Sequence, residues 1–155
     1  VDLRPINTWI RTIEMTNMFE FIEIFVVNML APFILTQQFI PLLHKTTKGY
    51  HSWVVNVSSM EGCFDMKTKQ PFHPHTNMAK AGLNMMTRTC GQDLIKKNIV
   101  LVSVDTGWNT IEQPNSYDKQ SPIDCVDGAA RILDPIYTKN TTYGVFYKDF
   151  KIRNW

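Results

Sequence analysis

Three short clusters of polar side chains adjoin apolar runs in this chain: Ser58-Ser59, Thr76-Asn77 with Lys80 close behind, and Thr106-Gly107-Trp108-Asn109-Thr110. Together with the amide of Asn28 they offer hydroxyls, an ammonium and amide donors, the groups that hydrogen-bond an oxygen atom and stabilise charge on it. A Ser-Ser pair after a strand also serves as a turn or a helix cap. His73 and His75 form an HxH pair with Cys63 upstream. The prolines at 71 and 74 and the lack of further ligands argue against zinc, so no metal site is expected. His75 titrates near neutrality, yet a histidine at a helix start is ordinarily a solvated or capping residue.

The elements that must carry these groups can be read from periodicity and punctuation. Thr16 or Asn17 is a suitable N-cap for a helix running from about Met18 to His44, with Pro32 marking a place for a kink. The polar stretch Lys45–Gly49 ends it. Ser52–Val57 is apolar on both faces and reads as a central parallel strand that delivers Ser58-Ser59 to its carboxyl end. Residues 63–74 form a loop, and a second helix spans about His75 to Lys97, with cations in its last turn where they suit the dipole. Ile99–Val104 is another doubly buried strand, with Asp105–Thr110 just past its end. A surface loop at 111–121, a helix over Ile123–Leu133 and a short strand at Tyr143–Tyr147 follow, before a charged tail. This alternation is an α/β pattern and implies a parallel sheet. Such sheets bind ligands outside the carboxyl ends of their strands, which is where the three polar clusters fall.

Composition narrows the partners. The chain has 155 residues, 44% of them hydrophobic, enough for one globular domain. Sixteen Lys and Arg against fourteen Asp and Glu leave a net charge of +2, so no basic footprint for nucleic acid exists. The seven glycines lie nine or more positions apart, whereas a phosphate cradle needs glycines two to five apart. Three cysteines, odd in number and without a CxxC pattern, argue for reduced thiols in an intracellular, cytoplasmic setting. The uncharged run Ile24–Leu43 is twenty residues long and matches a bilayer span in length. Asn28, Gln37, Gln38, Pro32 and Pro41 weigh against a span, and a helix buried between a sheet and a partner surface is expected instead.

The residues also carry a resemblance. VVNVSSMEG, a helix containing Ala79-Lys80-Ala81, the preceding NMLAPFILTQ and the following VSVDTGWNT together resemble the C-terminal half of a short-chain dehydrogenase/reductase, from Phe21 onward. The resemblance implies a partial Rossmann-like fold, a doubly wound parallel sheet, with residues 1–155 as the C-terminal part of one domain. It implies roles as well. Asn28 would hold a proton-relay water and Ser59 would orient the substrate carbonyl. Lys80 would bind the nicotinamide ribose and lower the pKa of a catalytic tyrosine. Thr106, Gly107 and Thr110 would cover the nicotinamide, with Thr106 in place of the family's proline. The implied cofactor is NAD or NADP and the substrate a small carbonyl or alcohol. The family's long helices, here 18–44 and 75–97, pack against a second subunit or a partner chain.

Two departures stand beside these matches. The family's tyrosine position, four residues before the lysine, is Thr76, and a threonine hydroxyl is far too weak an acid to replace a phenol as proton donor. The Gly-rich cofactor half has no counterpart in these residues, so dinucleotide binding by this stretch alone is expected to be weak or absent. Two functions follow as expectations: an NAD(P)-dependent oxidoreductase, or a reductase-like scaffold that has lost its chemistry and serves as a structural or regulatory subunit.

Overall fold

The seven residues of β2, Ile99–Asp105, are all buried, none more than 5% exposed, and the rest of the chain is arranged around them. The structure is a computed structural model and describes residues 3–45, 49–109, 112–114 and 119–155. Thr110 and part of the expected 111–121 loop, positions 111 and 115–118, lie outside the described residues. Strand β1 (Ser52–Ser58) runs parallel to β2, with Asn56 opposite Ser103 and Ser58 opposite Asp105. On the other side of β2 lies β3 (Phe146–Lys148), also parallel, and β3 pairs antiparallel with β4 (Lys151–Arg153) in the order β1-β2-β3-β4. The expected α/β class and Rossmann-like character hold.

Alternation along β2 sends apolar side chains to both faces. Ile99 and Leu101 cluster with Leu94 of α3 (Pro74–Ile95) and with Ile40 and Leu43 of α2 (Ala31–Leu43). Val100, Val102 and Val104 pack with Tyr147, Trp53 and Val55 on the opposite face. There the indole N–H of Trp53 donates to the carbonyl of Asn140, just past helix α4 (Cys125–Tyr137). A buried polar link fixes the register: Thr87 of α3 accepts from Asn56 Nδ2 at 2.9 Å and from Ser103 Oγ at 2.8 Å, and donates to the Leu83 carbonyl at 3.1 Å. Its hydroxyl is thereby saturated, so helix and both strands lock in one alignment.

Several expectations need correction. The first helix is three segments in continuous αR backbone: α1 (Met18–Phe25), a π-helical turn at Val26–Leu30, and α2. Asn17 is its N-cap, accepting from the Phe19 N–H at 2.8 Å. The break precedes Pro32, but it is an inserted π turn. This helix was expected to be buried, yet none of its residues is, and Phe19 is 82% exposed. One side packs on α3, and nothing among the described residues covers the other. Met18–Leu43 is long and apolar enough to cross a membrane by length and composition alone; here it seats Ile40 and Leu43 beneath the sheet.

Strand β1 is the edge of the described sheet and mostly half-buried rather than central and doubly buried, because no strand among the described residues pairs with its free side. Helix α4 starts at the Asp124 cap, which accepts from the Val126 and Asp127 N–H groups, and runs through Pro135 to Tyr137. The last strand starts at Phe146, three residues later than expected. The charged tail is not a tail. Asp149 and Phe150, at φ +50° and +62°, make the two-residue turn of a hairpin into β4.

Candidate active site

Two crowded contacts bring the site residues together. A Cβ on Gly62 would stand 2.6 Å from the Lys80 carbonyl carbon and 2.7 Å from the Ala81 nitrogen, so only glycine lets the turn after β1 lie directly on α3. A Cβ on Gly82 would collide with the Met29 sulfur, which seats the π turn against the same stretch of α3. Asn28 sits at the middle of that π turn, a local irregularity that recurs at functional sites. Its amide donates to the Ile24 carbonyl at 3.2 Å.

Asn28 and Lys80 face one cleft of about 330 Å³ at the free edge of β1, whose walls include Val27, Val55, Val57 and Leu83. Lys80 Nζ donates to the Val57 carbonyl at 2.9 Å, two residues before Ser59. Burial lowers the Lys80 pKa below its ordinary 10.5, opposed by the carboxylate of Glu112. The two serines have separate tasks. Ser58 is buried and donates to Asn84 Oδ1 of α3. Ser59 caps the short 3-10 turn Met60–Gly62, its Oγ accepting from the Glu61 N–H at 3.1 Å. An oxygen used as acceptor leaves the hydroxyl proton to be donated. Ser59 thus caps the turn as an acceptor and keeps its hydroxyl proton for a further bond.

Thr76 lies in the first turn of α3, half-buried, four residues before Lys80 and hence on the same helix face. His75 beside it is fully buried, and neither ring nitrogen has a hydrogen-bond partner among the described residues. It is neither solvated nor a cap, contrary to expectation. Burial, the main cause, and the nearby His73 and Arg11 push its pKa below 6.5, against the opposing pull of Glu20. The N-cap is His73, in left-handed backbone at φ +40°. Among the described residues no three His, Cys, Asp or Glu side chains form a metal ligand set.

After β2, Gly107 adopts φ +73°, where a Cβ would reach 2.8 Å from Ile123, and Thr106 Oγ1 donates to the Gly107 carbonyl at 3.1 Å. This turn follows the carboxyl end of β2 and is not among the residues that line the Asn28–Lys80 cleft. Sequence reasoning passed over the strap before α1. Trp9 makes tilted ring contacts with Trp108 at 5.9 Å between centroids and with His73 at 6.1 Å, while its carbonyl meets His73 Nδ1 at 2.7 Å. Asn7 donates to the Glu112 carbonyl at 2.7 Å. Residues 7–11 thus bridge the segment after β2 and the start of α3. Nothing in a mixed, Pro-containing segment signals that role.

A mostly parallel sheet, with Lys80 on the helix packed against it and the Ser59 and Gly107 turns at the carboxyl ends of β1 and β2, is an α/β arrangement of the Rossmann-like kind. The family model for short chain dehydrogenase matches residues 7–117. The chain belongs to that family. An uncharacterized protein of Acanthamoeba polyphaga mimivirus is 32% identical over 163 aligned positions, covering 97% of this chain and 34% of the relative. Among solved structures, the carbonyl reductase Sniffer of D. melanogaster aligns with TM-score 0.81 at 21% identity, over 98% of this chain and 64% of its own. The NADPH-bound carbonyl reductase from chicken fatty liver aligns with TM-score 0.78 at 23% identity, over 96% of this chain and 60% of its own. The chain therefore spans about a third of its viral relative and under two thirds of these reductases.

Proposed function

We propose that this chain is the C-terminal, substrate-side part of an NAD(P)-dependent short-chain oxidoreductase that interconverts a small carbonyl compound and its alcohol. The carrying observation is Lys80, bonded to the strand that leads into Ser59 and sharing a cleft with Asn28. When bound, the nicotinamide supplies or accepts the hydride. The residues present suit the nicotinamide-ribose end of such a cofactor. Lys80 is held where it can bond ribose hydroxyls, and the left-handed Gly107 lets backbone approach a flat ring closely. No glycine pair in the chain is spaced to cradle the phosphates, so that end calls for residues beyond these 155, and NAD and NADP serve the reading equally.

In this reading Ser59 donates to the substrate oxygen and Asn28 holds a water for proton relay. Thr106 and Gly107 would cover the nicotinamide, the part the resemblance also gives to Thr110, which lies outside the described residues. Thr76 contributes a hydrogen bond but no acidic proton, and neutral, enclosed His75 does not take over that part. The exposed apolar side of helix 18–44, with helix 75–97, forms a homo-oligomer or partner interface. All three cysteines are free, which fits an intracellular, reducing compartment.

Titration calorimetry of the native full chain with NADPH and with NADH tests the reading. Micromolar binding of either, lost in Lys80→Ala, is expected; binding of neither overturns it. The Thr76 substitution favours a second reading, a scaffold subunit without turnover. Cofactor binding without oxidation of NADPH across a panel of aldehydes and ketones would select it.

A further inference from the structure

Asp105, the last residue of β2, stands opposite Ser58 of β1 and opposite Lys148 of β3, at the point where three parallel strands end together. Its carboxylate is almost wholly enclosed, 6% exposed. Oδ2 accepts the Met60 N–H at 2.6 Å. Oδ1 accepts the Gly107 N–H at 2.6 Å and the Lys148 ammonium at 3.2 Å. Met60 adjoins Ser59, and Gly107 is the left-handed residue of the turn after β2. One carboxylate therefore holds both strand-end turns, one on each oxygen, with Lys148 balancing its charge.

We infer that Asp105 is a positioning residue that sets the separation between the Ser59 turn and the Gly107 turn, acting through the backbone N–H groups of Met60 and Gly107. The functional consequence, placement of Ser59 against whatever lies under the Gly107 turn, rests on the oxidoreductase reading above; the structural claim does not. Short bonds from N–H to an enclosed carboxylate are stronger than neutral ones. No neutral side chain reproduces them, because asparagine must point an NH2 group at one of the two N–H donors.

The test uses the native full chain. In the unmutated protein, nuclear magnetic resonance should detect through-hydrogen-bond couplings from the amide nitrogens of both Met60 and Gly107 to the side-chain carboxyl carbon of Asp105. Absence of both couplings overturns the inference whether or not any variant folds. In Asp105→Asn, amide exchange at Met60 or Gly107 should quicken about tenfold and NADPH affinity fall about tenfold. Lys148→Met, which removes the counter-charge and keeps both amide bonds, should leave those two amides protected. Unchanged exchange at both amides in folded Asp105→Asn sinks the inference. If instead the couplings and exchange behave as stated while the unmutated chain binds neither NADPH nor NADH, the clamp stands and the oxidoreductase reading fails.

Discussion

Lys80 Nζ and the Val57 carbonyl lie 2.9 Å apart, so the ammonium on α3 is tied to the strand two residues before Ser59. Lys80→Met should retain the fold, with unfolding free energy within about 1 kcal/mol of the parent, since one hydrogen bond is exchanged for the removal of an enclosed charge. NADPH affinity should drop sharply in the same variant. Because the folded-state pKa is depressed, the unfolded chain binds the extra proton between that value and 10.5. The parent's stability therefore gains with rising pH across that window, and urea melts should show this increment missing from Lys80→Met.

His75 supplies an acid-sensitive element. Its folded pKa lies below 6.5, so on acidification the unfolded chain takes up a proton first, and stability is lost as pH falls through 6.5 toward the folded value. Replacing it by leucine should remove this part of the pH dependence. Above pH 7.5 the leucine variant should be at least as stable, because both ring nitrogens lack partners among the described residues. Thermal melts between pH 5 and pH 8 decide it; identical profiles for parent and His75→Leu would contradict the assignment.

Gly62→Ala should cost about 1–3 kcal/mol, the usual penalty of forcing a group into a filled space. The added methyl would face backbone atoms of Lys80 and Ala81, which cannot swing aside as a side-chain tip can. Denaturant unfolding of Gly49→Ala makes the comparison, since a Cβ there meets no atom within 4 Å and only the positive φ is strained.

The Cys63 thiol is enclosed and accepts from Asn84 Nδ2 at 3.5 Å. Burial, helped by Asp105 and Asp65 and opposed by Lys69 and Lys148, pushes its pKa up to about 11. At pH 8 it should stay unmodified by a disulfide reagent in the native protein, while exposed Cys125 reacts at once. Rapid labelling of Cys63 under native conditions would show that the turn after β1 opens.

How the site was legible differs residue by residue. Strand β2 announced itself, because six successive apolar or small residues admit only a strand buried on both faces. Helix α3 was legible from its apolar spacing, and its placement of Lys80 one turn after Thr76 needs nothing beyond helical geometry. Ser59, Lys80 and Asn28 stand out in the sequence only through the order of their motifs. By contrast, Asp105 was read as the start of a loop. Its one signal was an acidic residue closing a wholly apolar run just before Gly107, which identifies an enclosed carboxylate only once its donors are known.

The same division runs through the whole molecule. Periodicity and caps are local quantities, so they were sufficient for the α/β class and the positions of β1, β2 and α3. The Trp9–Trp108 contact, the clamp from Asp105 to Met60 and Gly107, the enclosure of His75 and the bare side of the first helix join residues tens of positions apart or depend on what covers a surface. The hairpin at Asp149-Phe150 is local, but it relies on left-handed backbone at a phenylalanine, which side-chain preference disfavours and only packing against β3 can hold in place.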